Sequence, residues 1–352
     1  MPEIWDKEAP LYEALLKDVR FDVSLIIVPH YDFANSKLDH YGEEKRYFTE
    51  KYPASKIVLM NDERDMVVDD SYDYIFYQRC WETYLPEQLS CKNVLNYAMT
   101  CYIPYCYHCA PVPNAYYQKE FFWYLSKFYV CSVDQYNEVK RFSNIECQYN
   151  GFPVFDTLKF KKRDANQFKV LWTPRWSDDS TYGGTSFNKN KYHILKLKEI
   201  NENISLVLRP HPLTFENAIK QKWMSEEEVI EYKDLVKKTG VVFDQNKLIE
   251  DTFYTTDVLI TDFSSVIITY FLSGRPIIYC TGKDFVMTEI FREIIDSLYI
   301  ATNWEDIQRY VKDLMDGKDP LYEKRQMIIQ KINNTKSSVA VIKEDLYNQL
   351  KG

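Results

Sequence analysis

Short apolar runs rich in β-branched and aromatic residues alternate with polar stretches of helical spacing along most of the chain. In the first half the apolar runs are FDVSLIIVP (21–29), SKIVLMN (55–61), YDYIFYQ (72–78), AMTCYIP (98–104) and KFYVCSV (127–133). Stretches such as EQLSCKNVLNYA separate them, with apolar residues three or four positions apart. Runs of four to seven apolar residues read as strands covered on both faces, and strands alternating with helices predict a parallel sheet with helices on each side.

The rhythm lapses over the charged segment LKFKKRDANQ and then restarts with FKVLWTP (168–174), ISLVLRP (204–210), GVVFD (240–244), DVLITD (257–262) and RPIIYC (275–280). This predicts an α/β protein of two domains, with a boundary within 156–166: an N-terminal domain over 1–157 and a second over 158–335. From about residue 303 the spacing turns helical without intervening strands, in WEDIQRYVKDLMD, PLYEKRQMIIQKIN and SSVAVIKEDLYNQL. The last of these, 336–352, is a terminal helix able to cross back to the first domain. No short fixed period recurs, which excludes solenoids and propellers.

A length of 352 residues suits two ordinary domains, and 45% hydrophobic with 27% charged residues is a folded composition. The net charge of -8 and the lack of a long basic stripe argue against a nucleic-acid partner. The basic cluster LKFKKR (158–163) reads as a solvated linker, with a peripheral membrane contact as the alternative. No apolar run approaches the roughly 20 residues of a membrane-spanning helix, and acidic residues interrupt the N-terminal stretch, so no signal peptide is expected there. These features predict a cytoplasmic location, with the inner face of the cell membrane as a working place. Eight cysteines in such a chain read as reduced, packed thiols. Cys106 and Cys109 form a C-x-x-C beside His108 and Cys101, but no second pair follows to complete a zinc tetrahedron, so no metal site is assigned.

In a parallel sheet the carboxyl ends of the strands share one edge, where ligands bind. Three strands of the second half run into polar residues there. KVLW leads to Thr173, Arg175 and Trp176; SLVL to Arg209, Pro210, His211 and Pro212; DVLI to Thr261, Asp262, Ser264 and Ser265. The two prolines end the second strand and stiffen its exit, projecting Arg209 and His211 from a rigid loop. Arginine matches phosphate oxygens with a planar fork, and histidine donates to phosphate or carries a proton. TDFSSVIITYFLSG reads as a turn, then a helix from Ser264 or Ser265 to Gly274, whose free N–H groups and hydroxyls suit an anion. Together these suit a diphosphate. No P-loop or G-x-G-x-x-G cradle is present, and the glycine pair in TYGGTS (181–186) is too short to replace one.

LWTPRWSDD, VLRPHPL and TTDVLITDFSSVIITYFLSGRPIIYC, in that order and spacing, resemble the CDP-glycerol glycerophosphotransferase family of teichoic-acid primases and polymerases, as does NGFPVFD at 150–156. The resemblance covers residues 150 to about 282. It implies a GT-B architecture, two Rossmann-like domains facing across a cleft, with a CDP-activated polyol donor held by the C-terminal domain. The implied reaction moves a polyol phosphate, glycerol phosphate first, to a hydroxyl of a glycan or lipid-linked glycan acceptor and releases CMP. On this resemblance Arg209 and His211 bind the donor diphosphate, Ser264 and Ser265 grip its phosphates, Thr261 and Asp262 shape the turn, and Thr173, Arg175 and Trp176 line the site. The family's first-domain base is a histidine in Trp-His-Gly-Thr. Here YCYHCAP carries His108 without the Trp or the Gly-Thr, and His30 in IIVPHYDF is its rival. Cation supply by side chains predicts that no cofactor is required, Mg²⁺ included. Two other functions share this pattern: a GT-B glycosyltransferase using a nucleotide-sugar, and a catalytically silent nucleotide- or glycan-binding partner.

Overall fold

The computed structural model describes residues 2–28, 30–32, 37–39, 41–59, 71–82, 85–112, 116–142, 144–158, 167–244, 249–282, 284–333 and 336–351. The chain divides into two compact units, Met1–Thr157 with Thr335–Gly352, and Leu158–Asn334. It is an α/β protein built on parallel sheets, as the alternating pattern predicts. The charged cluster 158–163 falls almost entirely outside the described residues.

In the first unit the strands are β1 (Ser24–Ile27), β2 (His30–Asp32), β3 (Lys37–Asp39), β4 (Lys56–Leu59), β5 (Tyr74–Tyr77), β6 (Met99–Tyr102), β7 (Lys127–Val130) and β8 (Cys147–Tyr149). The strands β5-β6-β7-β8 form one parallel sheet, β1 pairs with β4 in a second, and β2-β3 is a short antiparallel pair. Expecting one N-terminal sheet, the sequence pattern gives no hint of this division. A cavity of about 430 Å³ lined by Leu25, Ile27, Ile75, Tyr77 and Leu346 keeps company with the division, touching both β1 and β5. The segment EQLSCKNVLNYA makes a 3-10 turn (Glu87–Leu89) and a four-residue helix (Cys91–Val94) instead of one long helix. Ser90 breaks it: its side chain accepts from Asn93 N and so starts a new helix inside the run.

The terminal helix Ser338–Gln349 belongs to this first unit. Its Asp345 accepts from Lys127 Nζ at 2.7 Å and from the Tyr129 hydroxyl at 2.8 Å, while Asn150 Nδ2 donates to Ser338 Oγ at 2.9 Å. Asp156 accepts from Ser337 Oγ and Val339 N, both at 2.8 Å, which anchors the start of the helix.

In the second unit β9 (Phe168–Thr173), β10 (Ile204–Leu208), β11 (Val242–Phe243), β12 (Val258–Thr261), β13 (Ile277–Tyr279) and β14 (Tyr299–Ile300) form one parallel sheet in the order β11-β10-β9-β12-β13-β14. This is the doubly wound order, in which the chain reverses direction across the sheet between β9 and β12. All four residues of β12 are buried, as are five of the six of β9, so helices cover both faces. Fully buried Trp172 stacks on Phe187 at 5.8 Å. Gly274 takes φ +73° after the helix Val266–Phe271, and its carbonyl accepts from the buried Arg325 at 2.9 Å, which ties the helix Tyr322–Asn333 to that turn.

Removing Asp345 leaves the Lys127 ammonium, whose side chain is 6% exposed, with one remaining carboxylate, Glu146, at 3.6 Å and largely in solvent. Asp345→Ala is expected to destabilise the first unit by about 3 kcal/mol, read as a lowered urea midpoint of its unfolding transition. An unchanged midpoint would show that the terminal helix is held by other contacts.

Candidate functional site

The reversal point between β9 and β12 brings together two of the predicted strand ends. Thr173 and Thr261 lie in register on these strands. The Thr173 hydroxyl donates to Thr261 Oγ1 at 2.9 Å, and Thr261 Oγ1 donates to the Thr173 carbonyl at 2.8 Å. Both residues are buried. They couple the strands and present no free hydroxyl to a ligand.

Asp262 follows and is fully buried. Its Oδ2 accepts from Arg175 N at 2.9 Å, from Ser186 N at 3.0 Å and from Thr185 Oγ1 at 3.2 Å. Burial pushes this carboxyl above the ordinary carboxylate range, against the pull of those donors. Asp262 therefore organises the loop after β9 from below. Thr185 and Ser186 drew no attention in the sequence because no local pattern links them to a residue about 77 positions away. The glycine pair beside them is locked in place. Gly183 has φ +82°, and a Cβ there would come 2.6 Å from the Gly282 carbonyl, so the backbone packs on the turn after β13.

Above this base lies Arg175, whose guanidinium packs over Tyr182 at 5.3 Å and Phe263 at 5.6 Å and donates to the Phe263 carbonyl at 3.1 Å. Its buried Nε has no partner among the described residues. Ser264 and Ser265 precede a helix of only six residues, Val266–Phe271, shorter than the helix to Gly274 expected from the sequence. Neither hydroxyl makes a capping bond to the third helical amide; Ser264 Oγ accepts from Val266 N at a long 3.4 Å. With so few aligned peptides the dipole contributes little, and the anion-binding potential rests on the hydroxyls and local N–H groups.

The loop after β10 places Arg209 and His211. Arg209 is ion-paired with the buried carboxylate of Asp244 at 2.8 Å, and Thr252 also donates to that carboxylate. Asp244 ends the adjacent strand run and is a site residue the sequence reading missed. His211 lies against Trp176, with ring centres 5.5 Å apart, and its Nδ1 accepts from Leu213 N at 3.1 Å. A backbone N–H can only donate, so the neutral ring carries its proton on Nε2. Desolvation on its packed side and the nearby Arg175 guanidinium both push His211 below the ordinary histidine range. His211 thus offers a neutral N–H donor.

In the first unit His108 follows β6, is 8% exposed, and meets Gln135 Nε2 through Nδ1 at 3.3 Å. Burial pulls it down to about 4. His30 opens β2, and its side chain lies outside the described residues. Among the described residues no group of three or more His, Cys, Asp or Glu is arranged to hold a metal. No helix there is long and apolar enough to cross a membrane.

Residues 154–338 match the model of the CDP-Glycerol:Poly(glycerophosphate) glycerophosphotransferase family. The chain belongs to that family. The match contains every strand of the second unit and thus the whole of the reversal-point edge. A relative is the teichoic acid poly(glycerol phosphate) polymerase of Bacillus spizizenii, 26% identical over 204 residues, which is 53% of this chain and 44% of that protein. The chain therefore spans less than half the length of that relative. Among solved structures it is similar to the wall teichoic acid polymerase TagF (15% identity, TM-score 0.58, 98% of this chain and 95% of that one). It is equally similar to a putative UDP-N-acetylglucosamine 2-epimerase of Listeria monocytogenes (15% identity, TM-score 0.58, 99% and 94%). At these identities the two likenesses establish the fold, GT-B, and leave the chemistry to the family match.

Asp262→Ala removes the acceptor for two loop amides, of Arg175 and Ser186, and for the Thr185 hydroxyl. It is expected to cost the second unit about 3 kcal/mol, with faster hydrogen exchange at the Arg175 and Ser186 amides. Exchange at those two amides equal to wild type would mean the loop is held by packing alone.

Proposed function

We propose that this chain transfers glycerol phosphate from CDP-glycerol to a hydroxyl of a glycan or polymer acceptor and releases CMP. The observation that carries this reading is the family match over the reversal-point edge, and the donor groups of Arg175, His211 and the two serines on that edge support it. The acceptor hydroxyl oxygen forms the new bond to the phosphorus that bears glycerol. The bond from that phosphorus to the bridging oxygen breaks, CMP leaves with the electron pair, and the hydroxyl proton is released. Such transfers ask the protein mainly for positioning and for stabilisation of charge on the phosphoryl and leaving oxygens.

In this reading His211 donates through Nε2 to the diphosphate, and Arg175 supplies charge over the aromatic floor of Tyr182 and Phe263. Ser264 and Ser265 supply hydroxyls. Arg209 supplies charge from a position fixed by Asp244; Asp262, Thr261 and Thr173 act through the loop and strand they hold, and Trp176 fixes the His211 ring. His108 is the acceptor-side histidine. Teichoic acid poly(glycerol phosphate) in the name of the polymerase relative supports an anionic polymer as the acceptor; in this reading the acceptor is lipid-linked and reached at the inner membrane face. The equal likeness to a UDP-N-acetylglucosamine 2-epimerase favours, as the second reading, an enzyme that takes a nucleotide-sugar.

Calorimetry with CDP-glycerol, CDP-ribitol, UDP-N-acetylglucosamine and CMP separates the two. CDP-glycerol is expected to bind, and His211→Ala to weaken it by about 2 kcal/mol, the loss of one hydrogen bond to a charged group, or roughly 30-fold. Binding of the UDP-sugar alone would transfer the chain to the second reading.

A further inference from the structure

The helix Val133–Phe142 begins at Ser132, whose Oγ accepts from Gln135 N at 3.1 Å and whose carbonyl accepts from Tyr136 N at 3.0 Å. Gln135 is the third residue of the helix, the position from which a capping-box side chain turns back to the amide of the cap residue. Here it reaches one residue further, and its Oε1 accepts from Cys131 N at 2.9 Å. Because Cys131 N–H can only donate, this contact determines which end of the Gln135 amide is oxygen. The atom 3.3 Å from His108 Nδ1 is therefore the amide nitrogen. The nearby Tyr117 hydroxyl donates to Glu138 Oε2 at 3.4 Å.

We infer that Gln135 is a positioning residue that holds His108 in the tautomer protonated on Nε2, so that His108 offers the substrate a neutral hydrogen-bond donor and does not act as a base. This rests on the reading above that His108 serves the acceptor side. The base role that the family resemblance assigns to His108 requires a bare Nε2 and a proton on Nδ1. Such a tautomer needs Gln135 flipped, which turns its NH₂ toward Cys131 N–H and leaves a buried donor without an acceptor. Both Gln135 and Cys131 are 2% exposed, so water does not relieve the conflict. Burial also keeps the ring from gaining a second proton. Among the described residues Nε2 of His108 has no hydrogen-bond partner, which leaves its N–H for an oxygen of the acceptor. The hydroxyl proton of the acceptor then passes to solvent.

The test is nitrogen-detected NMR of the full chain labelled at histidine, in which the two ring nitrogens report the tautomer without any turnover. The His108 signals are assigned as those lost in His108→Asn. Wild type is expected to show a protonated Nε2 and a bare Nδ1; a protonated Nδ1 would overturn the inference. Gln135→Glu replaces the donor by a carboxylate that accepts from Nδ1 and is expected to reverse the pattern. With CDP-glycerol and an acceptor it should then lower kcat at least tenfold with little change in the KM for the donor, and Gln135→Glu turning over as fast as wild type would equally overturn the donor role. Absence of transfer in the wild type would sink the proposed function and leave the tautomer result standing. Should Gln135→Glu fail to fold, the wild-type spectrum decides by itself.

Discussion

The buried carboxylate of Asp262 is the contact on which the ligand-facing edge of the second unit depends. It sits where the doubly wound sheet reverses, and one oxygen gathers the amides of Arg175 and Ser186 and the hydroxyl of Thr185. Those bonds bend the loop after β9 back over the end of β12, which lays Tyr182 flat on Phe263 at 5.2 Å and gives the Arg175 guanidinium its aromatic floor. The donors converge on Oδ2 alone; Oδ1 is buried with no partner among the described residues, in keeping with the upward push that burial gives this carboxyl. The fold supplies the reversal point, the aspartate turns it into a shaped surface, and the shaped surface carries the cation.

Two of the charges read from the sequence at this edge, Arg209 as a ligand contact and Asp262 as shaping the turn, are committed within the protein. Arg209 is paired with Asp244, and Asp262 faces inward. An ion pair of this kind does not remove the arginine from the site. It fixes one face of the fork and leaves the charge oriented, at lower entropic cost than a free side chain that orders on binding. Orientation of neutral groups follows the same rule: His211 is turned by the amide of Leu213, and His108 by an amide whose own direction comes from Cys131.

Much of the second unit was legible in the sequence. β9, β10, β12 and β13 fall within apolar runs, and the polar residues that follow β9, β10 and β12 announce the edge on which they meet. β14 was not legible: Tyr299–Ile300 is as short as β11, but unlike β11, which lies in the apolar run GVVFD, it stands in none of the apolar runs that read as strands. β8 is similarly short and half exposed. The separation of β1-β4 from β5-β8 was hidden for another reason: pairing partners are chosen by contacts far apart in sequence, and an apolar strand has the same pattern whichever neighbour it takes. Residues such as Thr185 and Asp244 escaped notice because a hydrogen bond to a residue dozens of positions away leaves no local signal.

Gln135 shows where a finer reading was available. Ser132-Val133-Asp134-Gln135 has the S-x-x-Q spacing of a helix start, so a side chain turning back toward residue 132 follows from sequence alone. What the sequence does not contain is that His108, 27 positions earlier, packs against the other end of that amide. A helix cap and a histidine tautomer are thus one hydrogen-bonded unit. The constraint that starts the helix also decides which imidazole nitrogen bears the proton, and a change made to improve the cap, such as Gln135→Glu, changes the chemistry that His108 presents.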